Sequence, residues 1–367
     1  MNLYLHIGVM KTGTSTIQDF FFVNRELLIN KNFLYPISIK NGSILNDHNV
    51  FINIMQNNKT KVIKKFQKEL FKHNIENVLI SAENIQWKLN NIKLIKDMKN
   101  FLYDLGFSKV YILIYLRNPL DLYLSMSSQA IKDDHYSDFL FLEPWNNKKA
   151  LDLCNYKKTL KRYEKIFGKE NLIVKIFEKD SFVDNDLLKD FLHTLNIKWD
   201  DKFKIPQNSN KSLNILGMEI VKTFNHYNIW KDDCLTRYED ILMFVDKYFA
   251  KSDKKSLKLY PPKEIYKLYY NYFLNSNEYV RKHFFPNKKS LFVQKYNEDY
   301  VENYNVKSLD KEDFENILHF MVDILSYKNT QISYQRKKEF KIAKSIYDFR
   351  MRIKNKLKKI KSIFTLY

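Results

Sequence analysis

Apolar and polar positions follow two different rhythms along this chain. Short continuous apolar runs occur at residues 2–7 (NLYLHI), 78–81 (VLIS), 110–116 (VYILIYL) and 172–177 (LIVKIF). Runs of that length without polar alternation belong to strands covered on both faces, as in a parallel sheet. Between them apolar residues recur at steps of three and four. After the first run, Ile17, Phe20, Phe21, Leu27 and Leu28 predict a helix from about Thr14 to Asn30. A strand, a glycine-bearing turn and a helix make the first βα unit of an α/β sheet.

Beyond Pro206 the strand rhythm fades and helical periodicity takes over, at about 212–227, 235–250, 262–283 and 311–327. This half is expected to form a helical layer or subdomain packed on the sheet. Its Tyr and Phe richness, as in KLYYNYFL at 267–274, is expected to be core. From Arg336 to Lys361 the pattern changes once more: 12 Lys or Arg stand against Glu339 and Asp348, a net of +10. Ile342, Ile346, Phe349, Ile353, Leu357, Ile360 and Phe364 recur there at steps of three and four, so they share one helix face. Two readings of this tail stand side by side. One is a helix lying on an anionic membrane surface through residues 336–364; the other is a terminal helix docked on its own domain with its lysines in water. The expected domains are therefore 1–335, with an α/β part at 1–205 and a helical part at 206–335, followed by a basic amphipathic helix at 336–367.

Composition narrows the function. The 367 residues are 45% hydrophobic and 16% aromatic, enough for a sizeable core. A formal charge of +20 implies polyanionic partners: nucleic acid, an anionic membrane, or phosphorylated and acidic small molecules. Two cysteines, Cys154 and Cys234, show neither a disulfide framework nor zinc spacing, which suits a reducing compartment. The chain enters strand-like sequence at once, without signal-peptide features, and no run approaches the roughly 18 to 20 apolar residues of a membrane span. The expected location is cytoplasmic, with peripheral attachment to the inner face of the cell membrane if the tail binds lipid.

The first turn carries the chemistry. HIGVMKTGTSTIQ at 6–18 holds two of the six glycines, Gly8 and Gly13, in the Gly-x-x-x-x-Gly spacing of a phosphate-binding loop. Small residues let successive backbone N–H groups, continued by a helix N-terminus, point at one anion. Thr12, Thr14, Ser15 and Thr16 add hydroxyls. A nucleotide triphosphatase, however, carries Lys after the second glycine, followed by a Ser or Thr for magnesium. Here Thr14 stands there, and Lys11 lies two residues before Gly13. The fold these features predict is α/β, a P-loop-type three-layer arrangement with a central parallel sheet flanked by helices, plus a helical C-terminal half.

A second motif, YLRNPLDLYLS at 115–125, follows the strongest strand. A triphosphatase ends this strand in an acid for magnesium; here it ends in Arg117, which cannot hold a metal but can fork a phosphate. Pro119 opens the next helix and Ser125 lies eight residues past Arg117, about two turns along it. Together they make a second anion site, separate from the first.

The loop, followed about a hundred residues later by R-N-P-x-D-x-x-x-S, resembles the sulfotransferase family that uses 3′-phosphoadenosine 5′-phosphosulfate (PAPS). The resemblance continues through Ser128-Gln129, the stretch from Tyr156 to Phe177, Glu178, and NSNKSLN at 208–214, and covers roughly residues 1–290. Its style is that of bacterial members acting on surface glycans. It implies that Thr12, Gly13, Thr14, Ser15 and Thr16 cradle the 5′-phosphate, that Arg117 and Ser125 take the 3′-phosphate, and that Lys211, with Asn208, belongs to a segment closing over the nucleotide. It places Lys11 at the oxygen bridging phosphate and sulfonate, where charge grows as the sulfuryl group leaves. No metal is implied. The acceptor is expected to be a carbohydrate hydroxyl or amine, on a cell-surface glycan or its precursor.

Transfer also needs a base. Two residues compete for the role. His48, in NDHNVF, has an ordinary pKa suited to proton transfer. Glu83, in VLISAEN, stands just past a strand's carboxyl end, where open α/β sheets bind ligands. Family members differ in their base, so both stay open. Other readings are a P-loop kinase or triphosphatase, opposed by Thr14 and Arg117, and a non-enzymatic basic binder of membrane or nucleic acid. No nucleic-acid motif accompanies the charge, and no nucleic-acid partner is expected.

Overall fold

The computed structural model describes the chain except residues 41, 43–44, 73–74, 134–142, 147, 207–211, 228–237, 251–256, 295–298 and 365–367; side chains at 148–150, 238–239, 349 and 352–364 are also not described. In chain order β1 (Asn2–His6) leads through the glycine loop to α1 (Thr14–Val23), α2 (Arg25–Ile29) and the two-residue β2 (Phe33–Leu34). Helices α3 (Phe51–Gln56) and α4 (Thr60–Lys72) precede β3 (Asn77–Ser81); α5 (Ile85–Lys88) and α6 (Ile92–Asp104) precede β4 (Lys109–Leu116). Then come α7 (Pro119–Lys132), α8 (Lys148–Cys154), α9 (Tyr156–Phe167), β5 (Leu172–Ile176) and α10 (Leu187–Thr194). The remaining helices are α11 (Ile215–His226), α12 (Tyr238–Phe249), α13 (Lys263–Phe284) and α14 (Lys311–Phe364).

All five strands are parallel, in the order β2-β3-β1-β4-β5. Side chains alternate across the sheet as the two-residue period requires. Leu3, Leu5, Val78, Ile80, Val110, Ile112 and Ile114 join one buried cluster, while Leu79, Leu113 and Tyr115 join Ile17, Phe20, Phe21 and Phe191 in another. Both faces are therefore covered by helices, which is why the strands read as unbroken apolar runs. The predicted α/β architecture with its central parallel sheet is the one found.

Three expectations change. The helix from Thr14 to Asn30 is interrupted at Asn24, whose buried side chain donates to the Phe20 carbonyl at 2.9 Å and the Lys204 carbonyl at 2.8 Å and accepts from the Lys204 amide at 2.8 Å. An Asn that bonds backbone both near and far in sequence competes with helical hydrogen bonding. The chain also does not divide only once: a boundary falls at residues 210–211, near the expected 205, but a later segment returns to the first unit. Residues 1–129, 138–210 and 260–302 form one compact unit, and 130–137, 211–259 and 303–367 a second. Helix α13 belongs to the first, because Tyr266, Tyr269 and Phe273 are buried in its core and Tyr269 stacks on Tyr123 at 5.4 Å between ring centroids.

The third change concerns the boundary near residue 335. No Gly or Pro occurs from Lys311 to Phe364, and α14 runs unbroken through the 54 residues where two helices were expected. In the second unit Phe320 of α14 packs edge-on against Phe249 of α12, and Lys247 and Tyr248 both donate to Asp323 at 2.7 Å. Among the described residues no helix is long and apolar enough to cross a membrane.

Candidate functional site

The chain leaves β1 toward β2 on one side of the sheet and later crosses to β4 on the other. Strand β1 lies between β3 and β4, so the carboxyl ends of these three strands surround the point of reversal where open α/β sheets bind ligands. The glycine loop starts there. Its base is anchored by continued pairing with β4: the Ile7 amide donates to the Leu113 carbonyl at 3.0 Å, the Tyr115 amide to Gly8 at 3.0 Å, and the Val9 amide to Tyr115 at 3.2 Å. Gly8 passes so near the segment after β3 that a Cβ on it would lie 3.2 Å from the Glu83 carbonyl oxygen. Gly13, at φ 71°, turns the chain into α1 in a left-handed conformation that side chains disfavour.

The first intrahelical bond of α1 runs from the Ile17 amide to the Gly13 carbonyl at 3.1 Å, so the amides of Thr14, Ser15 and Thr16 form the helix's N-terminal turn. The hydroxyls of this segment have separate fates. Thr12 is fully buried and its hydroxyl donates to the Val9 carbonyl at 2.5 Å, inside its own loop. Thr14 is also buried, and its hydroxyl donates to the Glu83 carboxylate. Ser15 is exposed and Thr16 half-buried. The loop thus offers an anion its backbone more than its threonine side chains.

Half-buried Lys11 turns its ammonium toward α7, donating to Gln129 Oε1 at 2.9 Å. Gln129 is one helical turn past Ser125, which is half-buried on the same helix. Arg117, at the end of β4, donates to the Lys11 carbonyl and lies over the Phe177 ring at 5.5 Å from its centroid. Burial pulls the Arg117 pKa down from its ordinary value, with Asp121 and Tyr156 acting in the opposite direction. The two motifs, expected as separate anion sites, are therefore hydrogen-bonded to one another. Tyr156, from α9, fixes this strand end from behind by donating to the Arg117 carbonyl at 2.6 Å.

Glu83 and His48 differ sharply. Glu83 is half-buried, in the segment between β3 and α5, and bonded to the loop through Thr14. His48 is fully buried. Its Nδ1 accepts from the Ser81 amide at 3.0 Å, an amide that can only donate, so the ring proton is on Nε2 and goes to the Pro36 carbonyl at 2.7 Å. Both ring nitrogens are committed to backbone. Burial lowers the His48 pKa to about 4, against smaller upward effects of the Pro36 carbonyl and Glu69. His6 lies fully buried in the sheet, its Nδ1 2.9 Å from the Ser81 hydroxyl, and burial lowers its pKa to about 3.

Lys211 and Asn208 fall outside the described residues. The structure thus brings together Lys11, Gly13, Thr14, Glu83 and Arg117, and adds Gln129, Tyr156 and Phe177, to which sequence analysis assigned no role. Gln129 had a readable signal, its spacing of four from Ser125. Phe177 and Tyr156 lie in a stretch that the resemblance covers, but their contacts with Arg117 depend on β5 and α9 meeting the end of β4. Among the described residues no cluster of three or more His, Cys, Asp or Glu could hold a metal ion.

No protein-family model and no curated protein matches this chain. A solved structure of a sulfotransferase from Alicyclobacillus acidocaldarius is similar to it, at 19% sequence identity over 60% of this chain and 90% of that one, with a TM-score of 0.35. A likeness at that score carries no weight for the chemistry, which rests on the residues themselves.

Proposed function

We propose that this chain is a sulfotransferase that moves the sulfuryl group of PAPS to a hydroxyl or amine of a carbohydrate acceptor, with Glu83 as general base. The observation that carries the reading is the convergence of Lys11, Arg117 and the N-terminus of α1 with one carboxylate, Glu83, at the carboxyl ends of β1, β3 and β4. The residues fit an anionic donor. Arg117 donates to a backbone carbonyl and Lys11 to an amide oxygen, both neutral acceptors, while the Asp121 carboxylate also acts on Arg117. Gly8 and Gly13 let the loop pack closely against Glu83 and Leu187, and the N-terminal amides of α1 follow directly from its turn.

The donor, when bound, supplies an activated sulfuryl group on a phosphate leaving group. The loop amides and α1 hold the 5′-phosphate, and Arg117 with Ser125 holds the 3′-phosphate. Lys11 exchanges its Gln129 contact for the oxygen on which charge accumulates, so its stabilisation is greatest in the transition state. Glu83 accepts the proton of the attacking hydroxyl or amine. The bond from Thr14 uses Oε2 and fixes the carboxylate beside the loop, which is what proton transfer within hydrogen-bond reach demands. His48 is a poor base by comparison, because accepting a proton would cost it the bond from the Ser81 amide.

Thermal denaturation with 3′,5′-adenosine bisphosphate tests the reading. At 100 times its Kd the bisphosphate should add about 2.7 kcal/mol of stability without magnesium. Stabilisation by ATP with magnesium, and none by the bisphosphate, would replace the reading with a P-loop kinase or triphosphatase.

A further inference from the structure

From Arg336 to Met351 every residue whose side-chain exposure is described is exposed, although α14 continues unbroken through them. Phe340 is 71% exposed, Ile342 52%, Ile346 51% and Tyr347 63%. A helix docked on its own domain would bury Ile342 and Ile346. These two also open the repeat that continues at Phe349, Ile353, Leu357, Ile360 and Phe364 in steps of four and three. The steps sum to an eleven-residue period, Ile342 to Ile353 to Phe364, close to the natural turn of a straight helix. At about 100° per residue the seven positions fall within an arc of roughly 80°. Positions 341, 352 and 359 flank one edge of it with cations, and positions 354 and 361 the other.

We propose that residues 336–364 of α14 form a docking surface for an anionic lipid bilayer, with the helix lying in the interfacial plane. The net charge of +10 between Arg336 and Lys361 selects this occupant. A second copy of the chain would set +10 against +10 along the same stripe. A nucleic acid would meet the charge but has no use for a continuous apolar arc. An anionic bilayer satisfies both: phosphate headgroups face the flanking lysines and arginines, and the Ile/Leu/Phe arc enters the acyl boundary.

Flotation of the full chain with vesicles tests this. The protein should float with vesicles of phosphatidylcholine and phosphatidylserine, and with phosphatidylcholine alone at least tenfold less. The double variant Ile342→Asp/Ile346→Asp changes two exposed positions and should leave the circular-dichroism melt unchanged while weakening flotation by tenfold or more. Equal flotation with neutral vesicles, or flotation indifferent to the double variant, would overturn the proposal. So would a dimer in sedimentation equilibrium that the double variant dissolves, or salt-sensitive binding to a DNA duplex with no flotation.

Discussion

The Thr14 hydroxyl donates to the Glu83 carboxylate, tying the first turn of α1 to the segment after β3 across 69 residues of sequence. The bond places a carboxylate beside the loop that would hold the donor, and it makes the base separable from the binding machinery. Glu83→Gln keeps shape and an acceptor for Thr14 but cannot take a proton. It should lower the rate of labelled sulfate transfer on the order of 10² to 10⁴-fold at saturating donor, while the bisphosphate still raises the melting temperature. A variant keeping more than a tenth of the wild-type rate would remove Glu83 as base.

Lys11 should show the complementary behaviour. Its ammonium donates to the neutral amide oxygen of Gln129, a bond it can exchange for one to a leaving oxygen. Lys11→Ala should cost roughly 10² to 10³ in kcat, the scale of removing one donor aimed at developing charge. Gln129→Leu should cost less than about tenfold if its task is to park the ammonium. Comparable losses in the two variants would mean that Gln129 itself contacts the reacting groups.

Arg117 combines a bond to the Lys11 carbonyl with a flat guanidinium over Phe177, and lysine lacks the planar group that makes both at once. Arg117→Lys should weaken bisphosphate binding by roughly tenfold or more. If Arg117 serves the 3′-phosphate, the loss should be much smaller for adenosine 5′-monophosphate, so calorimetry with both nucleotides checks the assignment. An equal loss for both would move Arg117 to the 5′-phosphate side.

Much of this site is visible in the sequence because its pieces are local. The loop, the run ending in Arg117 and the helix carrying Ser125 each occupy fewer than about 20 consecutive residues, and a doubly covered parallel strand has an apolar signature. What the sequence conceals is long-range. Nothing near Glu83 announces Thr14, and nothing near His48 says that the Ser81 amide and the Pro36 carbonyl claim both its nitrogens. The break at Asn24 depends on Lys204, 180 residues away, and β2, at two residues, is too short for any period. The continuity of α14 is legible in principle, since no Gly or Pro interrupts it, but the rise in basic residues after residue 335 masks it.

Gly13 offers a test of the loop through stability. A Cβ there would lie 2.3 Å from Leu187 Cδ2, and the backbone is left-handed at φ 71°. Gly13→Ala should therefore cost about 2 to 4 kcal/mol, combining backbone strain with overpacking. Adding Leu187→Ala should recover the packing part and leave the strain. Urea titrations of the single and double variants measure this; no recovery would show that strain accounts for the whole effect.

His48 predicts a pH dependence whose sign follows from burial. Its folded pKa is about 4, below the ordinary 6.5, so between those values the unfolded chain binds the proton and the native chain does not. Stability from this group is fully present above about pH 6.5 and is lost as pH falls toward 4, at up to about 1.4 kcal/mol per pH unit. His6, lowered to about 3, acts with the same sign down to a lower pH. His48→Gln keeps an acceptor and a donor for Ser81 and Pro36 but cannot titrate. Urea titrations from pH 4.5 to 7.5 should show the slope of stability against pH reduced by about 1.4 kcal/mol per unit at the middle of the window, while sulfate transfer at pH 8 persists, in contrast to Glu83→Gln. An unchanged slope would mean that the His48 ring is protonated, or reached by water, in the native protein.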